Sequence, residues 1–180
     1  MFYSLSLPNI YTSSTLLEVS SDDQNSQLSG MGSQFSGIAS MVGINMPVSG
    51  SNKSHFVEET LKSREFTKIL LSKYDFSPQI IATKDFIKNS NEIIFDEEVY
   101  NSKSKKWIRK PNKHRGTIPT YLEVHSVLMK SLSVQVDKES KFITLSFSHK
   151  SPVFAKDFLV NTIQKLNQIT KTKDQLESLK

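Results

Sequence analysis

LSVQVDKESKFITLSFSHKSPVFAKDFLVNTIQKLN, residues 132–167, is the stretch whose reading decides the fold. Leu132, Val134 and Val136 alternate with polar residues, and so do Ile143, Leu145 and Phe147. Each run predicts a strand with one buried and one wet face. For both apolar sets to share a face across an antiparallel hairpin, opposed residue numbers must sum to an odd value, as Val134 with Leu145 does. Ser151 then supplies an N-cap, and Pro152 falls at the first helical position, where its missing N–H costs nothing. Ala155, Leu159, Ile163, Leu166 and Ile169 recur at helical spacing. No Gly, Asn or Pro follows Lys171 to stop this helix, and beyond Ile169 its apolar content thins to Leu176 and Leu179. A helix that continues while losing its buried face is expected to leave its domain.

Upstream, Ile10 to Val19 is rich in Thr, Tyr, Leu and Val and predicts a strand. Residues 20–52 turn to Ser, Gly, Asn and Met and hold five of the six glycines, so a mobile loop with one apolar knot at SGIASMVGI is expected. HFVEETLKSREFTKILLSKY has helical propensity, but its phase slips: Val57, Thr60, Leu61 and Arg64 line one side and Phe66, Ile69 and Leu70 the other. A break at Ser63, with that residue capping the second of two short helices, reconciles the two phases. PQIIATKDFIKN, from Pro78 to Asn89, predicts a third helical stretch. In TIPTYLEVHSVLMKSL, Thr120 and Glu123 stand at capping-box spacing and open a fourth. These elements predict an α+β fold, with a small antiparallel or mixed sheet packed against several helices and ending in the start of a long projecting helix.

A chain of 180 residues, 37% hydrophobic and 23% charged, is ordinary for one soluble domain with a real core. The first seventeen residues carry no charge, yet seven of them are Ser, Thr or Asn and Pro8 interrupts them, which fits neither a membrane span nor a signal peptide. Cysteine is absent, which removes disulfides, thiol catalysis and Cys-based zinc.

The net charge of +5 is local. Between Lys103 and Arg115, KSKKWIRKPNKHR holds seven Lys or Arg and no acid, leaving 16 basic against 18 acidic residues elsewhere. The polar NSKSKK between VY and WI suggests a loop or loose hairpin carrying this run. Lys103, Lys105, Lys106, Arg109, Lys110, Lys113 and Arg115, with Trp107 among them, have the chemistry of a polyanion contact: cations for phosphate or carboxylate, an indole for stacking. The bland alternative is a solvated connection with Trp107 folded back as a local anchor.

Other chemistry is sparse. Gly30, Gly32 and Gly37 are spaced G-x-G-x-x-x-x-G, which is no dinucleotide fingerprint. His55, His114, His125 and His149 have no i,i+4 partner of their kind, so no metal site is expected. Asp96, Glu97 and Glu98 read as a solvated acidic run rather than a cation site. No nucleophile, base and orienting group assemble by spacing, so catalytic residues, cofactor and metal are all expected to be none.

LPNIYTSSTLLEVS, SGIASMVGI, EETLKSREF and above all SVQVDKESKFITLSFSHKSPVFAKDFLVNTIQKLN resemble the Wzz-type chain-length determinants, the polysaccharide co-polymerases, from about Pro8 onward. The resemblance implies a bacterial inner-membrane protein with a periplasmic α/β base, flanking membrane helices, a long helix extending away from the membrane and a ring-like homo-oligomer. It implies a non-enzymatic regulator of O-antigen or related lipopolysaccharide chain length, acting with a separate membrane-embedded polymerase and in contact with lipid-linked glycan. Residues 1–180 would be the single base domain, with the long helix starting near 152. An apolar span is expected before Met1, and further helix and a second span beyond Lys180. Without those parts a monomer or weak oligomer is expected. The basic segment would meet anionic sugar or headgroups; the alternative function is an anion- or nucleic-acid-binding module using residues 103–115, whereas the family reading involves no nucleic acid. One departure is local: family hairpins turn through Asp-x-x-Thr-Gly, but DKESK puts Lys141 where Gly would relax a positive φ, at a cost of about 1 kcal/mol if the geometry is kept.

Overall fold

A computed structural model of the chain describes residues 9–18, 53–137, 139–140 and 142–177, with side chains except those of Lys53, Phe56 and residues 170–177. The expected loop at 20–52 and its apolar knot, and Lys141, lie outside the described residues.

The first described strand, β1 (Tyr11–Leu17), is an edge of a three-stranded antiparallel sheet. The other two strands, β6 (Leu132–Val136) and β7 (Ile143–His149), form the expected hairpin. The order is β1-β7-β6, so β7 is central. Val134 stands opposite Leu145, Leu132 opposite Phe147 and Val136 opposite Ile143, the odd-sum register that apolar alternation requires. On β1, Thr15 pairs with Leu145 and Tyr11 with His149. The wet face carries hydroxyl contacts between strands, Thr12 to Ser148 at 2.8 Å and Ser14 to Ser146 at 2.9 Å.

Helices cover the other face. The α1 helix (Lys53–Lys62) and α2 (Arg64–Tyr74) are separated at Ser63, whose side chain accepts from Phe66 N at 3.1 Å. The break lets Thr60 and Leu61 be buried on one helix and Phe66, Thr67 and Leu70 on the next. The fourth helix, α4 (Tyr121–Ser131), starts at Thr120, which accepts from Glu123 N at 3.3 Å. The last, α5 (Pro152–Glu177), starts at Ser151, which accepts from Phe154 N at 3.2 Å. It packs across β1 and β7. Its buried stripe is broader than the aliphatic spacing suggests, because Phe154, Phe158 and Thr162 are buried beside Ala155 and Leu159. Phe158 lies 4.3 Å from Phe147 by ring centroids, and Phe76 meets Phe154 and Phe158 edge-on at 5.6 and 5.4 Å. Ile169 is still buried, so the helix remains docked for most of five turns.

One expectation is corrected. The stretch from Pro78 to Asn89 is not one helix: α3 (Ser77–Ala82) ends after six residues and β2 (Thr83–Ile87) begins. Thr83 is extended, and its hydroxyl donates back to the Gln79 carbonyl at 2.6 Å, closing the helix end. The strand pairs with β3 (Glu92–Phe95) through a turn in which Asn91 takes φ 54. Pairing with β3 offsets the helical propensity of Lys84 to Lys88.

Candidate functional site

The basic run is folded into two consecutive reverse turns. In the first, β4 (Tyr100–Asn101) pairs with β5 (Lys106–Trp107), Tyr100 opposite Trp107. This is the expected loose hairpin. Its tip is fastened by Asn101 Oδ1, which accepts from Ser104 N at 2.8 Å, and Lys105 takes φ 53 to complete the reversal. The acidic run shapes the approach to this hairpin. Asp96 Oδ1 accepts from Glu98 N at 3.0 Å, and the Asp96 carbonyl accepts from Val99 and Tyr100 as the chain enters β4. In the second turn, Asn112 and Arg115 bridge, and Asn112 Oδ1 accepts from His114 N at 2.9 Å and Arg115 N at 3.0 Å. Such an Asx-turn needs no glycine and presents Lys113, His114 and Arg115 to solvent.

Trp107 and Arg109 face inward. The indole meets Tyr100 edge-on at 5.0 Å, and Tyr100 meets Phe95 at 5.3 Å. Arg109 is 3% exposed, with its guanidinium 5.9 Å from the Trp107 ring centre. It donates Nε–H to the Thr117 carbonyl at 2.9 Å and forms a two-pronged pair with Glu123 on α4. The expectation that Arg109 is an exposed cation free to touch an anion is therefore corrected: it is buried, and three of its N–H groups are held by the Thr117 carbonyl and by Glu123 on α4. Lys103, Lys105, Lys106, Lys110, Lys113 and Arg115 are exposed. A shallow groove beside them is lined by His114, Arg115, Gly116, Thr120, Leu122 and Glu123.

By spacing, Glu123 is a capping-box acid. The forward half of that box forms, since Thr120 accepts from Glu123 N, but the carboxylate pairs with Arg109. The hydrogen bond from Arg109 holds the Glu123 carboxyl below its ordinary value; burial opposes this, and the charges of Arg109 and Arg115 add to it. The sequence signal for this pair is weak, because an Arg inside a Lys-rich run looks like its neighbours.

The histidines stay apart. His125 Nδ1 bonds the Thr67 hydroxyl at 2.8 Å, linking α4 to α2. His149 Nδ1 accepts from Ser151 N at 3.0 Å, which leaves Nε2–H to donate to the Gln79 carbonyl at 3.0 Å. Burial is the leading cause that lowers both imidazole pKa values. Among the described residues no three His, Cys, Asp or Glu gather as metal ligands, and no helix is long and apolar enough to cross a membrane. Comparison with protein-family models, with curated proteins and with solved structures finds no match.

Proposed function

We propose that this chain is the periplasmic base of a Wzz-type chain-length determinant, a non-catalytic regulator of O-antigen or related glycan length at the bacterial inner membrane. The observation that carries the reading is the connection from β7 to α5. The central strand of the sheet passes through the Ser151 cap into a helix of 26 residues, and that helix packs across β1 and β7 and stays buried as far as Ile169. This sheet-to-helix unit coincides with residues 133–167, the most specific part of the resemblance.

The mechanism proposed is organisational. Copies of the base arranged in a ring near the membrane hold a separate polymerase and the growing lipid-linked glycan, so that chain growth ends over a narrow length range. No bond is made or broken by this chain. Deleting the gene and separating the surface glycan by size tests the reading. The expected result is polymer still made but without a modal length, restored by the gene in trans. Loss of all polymer, or an unchanged length distribution, would overturn it.

A further inference from the structure

Residues 103–122 combine two kinds of exposed surface. Lys103, Lys105, Lys106, Lys110, Lys113 and Arg115 are exposed, and among the described residues none of them is in an ion pair. The nearby carboxylate of Glu123 is committed to Arg109. On the same lobe Ile108 is 47% exposed, Ile118 70% and Leu122 44%. Leu122 lines one groove with His114 and Arg115, so aliphatic and cationic side chains adjoin. Leu122 also stands about 200° around α4 from buried Val124, on the side turned away from the core.

A soluble polyanion would engage the cations and leave the aliphatic groups in water. A single-stranded nucleic acid would want a free aromatic face, yet Trp107 is packed against Tyr100 and under Arg109, and the exposed Tyr121 has Lys68 Nζ over its ring, 5.7 Å from the centre. Cations beside exposed aliphatic groups match a surface that is anionic outside and hydrocarbon beneath. We propose that the lobe from Lys103 to Leu122 docks on an anionic phospholipid bilayer, with the six cations among headgroup phosphates and Ile118 and Leu122 entering the interface. The inference stands on exposure and charge alone, so its outcome and that of the chain-length reading are independent.

Flotation with vesicles tests it, comparing phosphatidylcholine alone with a phosphatidylcholine and phosphatidylglycerol mixture. The ionic strength is set near about 0.1 M, where exposed charges are screened beyond about 10 Å. The protein is expected to float with the anionic vesicles only. Replacing Lys105, Lys106, Lys110 and Lys113 by Gln should weaken binding by about fivefold per cation removed. Ile118→Ser with Leu122→Ser should weaken vesicle binding by about tenfold or more while retention on immobilised polyphosphate is unchanged. All of these side chains are exposed, and circular dichroism checks that the variants keep the fold. Three results overturn the proposal: no flotation with anionic vesicles, equal flotation with neutral ones, or wild-type vesicle binding by the Ile118 and Leu122 variant. The last would reduce the contact to charge alone.

Discussion

Arg109 and Glu123 form a two-pronged ion pair in which the arginine is 3% exposed and the glutamate side chain 29%. The pair joins the middle of the basic run to the first turn of α4, and Arg109 adds a bond to the Thr117 carbonyl between them. Removing either partner strands the other. Glu123→Gln leaves a nearly buried guanidinium without its counter-charge, and Arg109→Gln leaves a carboxylate and the Thr117 carbonyl short of donors. Each is expected to cost about 2 kcal/mol. Lys105→Gln, Lys106→Gln and Lys110→Gln together should stay within about 0.5 kcal/mol each. Urea denaturation midpoints separate the two classes. Equal, small effects would mean that the pair is a solvated contact.

Lys105 is one of three non-glycine residues at positive φ among the described residues, with φ 53 at the hairpin tip. A side chain there is crowded by the following carbonyl, which costs about 1 kcal/mol, and glycine recovers only part of this because it also frees the unfolded chain. Lys105→Gly is expected to stabilise by about 0.5 kcal/mol. Lys105→Val, β-branched in the same geometry, should destabilise. Thermal melts of the two variants should move in opposite directions.

Thr162 lies on the buried face of α5, 1% exposed, and its hydroxyl has no hydrogen-bond partner among the described residues. A buried hydroxyl without a partner forfeits hydration, and valine fills nearly the same space with a methyl group. Thr162→Val is therefore expected to stabilise by about 1 kcal/mol. Thr162→Ala, which removes the hydroxyl and opens space, should not. Denaturation in urea of the pair distinguishes relief of an unpaired group from simple change of volume.

How much of the fold is legible in the sequence depends on the range of the interactions. The hairpin register is legible because alternation has period two and leaves one parity for Val134 and Leu145. The break at Ser63 is legible because the apolar phase jumps there and a capping residue sits at the jump. Thr83 to Ile87 is not, because its strand conformation depends on pairing with Glu92 to Phe95, while its own composition is compatible with helix. Likewise the burial of Arg109 depends on a carboxylate 14 residues away that local spacing assigns to a cap. The outward Ile118 and Leu122 are visible letters, but only a placed α4 shows that Leu122 faces away from Val124 and Leu128. The fold class follows from local signals, and the chemistry of the basic lobe from non-local ones.

His149 gives the last prediction, a stability profile in acid. Its Nδ1 accepts from Ser151 N and its Nε2–H donates to Gln79, so the folded protein holds the neutral ring at the junction of β7, α3 and the start of α5. Protonation would replace the Nδ1 acceptor with a second donor facing the Ser151 N–H. Burial, the leading cause, lowers its pKa in the fold, and burial likewise lowers that of His125. In the unfolded chain both rings titrate near 6.5. Their contribution to stability is complete above that value. As pH falls through it, the unfolded state takes up protons that the folded state does not, and stability declines until the lowered folded values are reached. Glu123 adds a separate step of the usual carboxylate sign: its stabilisation is complete above its ordinary value near 4.5 and is lost as pH falls through the lowered folded value. Urea-unfolding free energies measured from neutral pH downward should thus fall in two stages. His149→Gln should reduce the first stage to the share of His125 and leave the second, whereas Glu123→Gln should reduce the second and leave the first. A profile level from neutral pH down to the carboxylate range would mean that these imidazoles are as free to charge in the fold as in the unfolded chain.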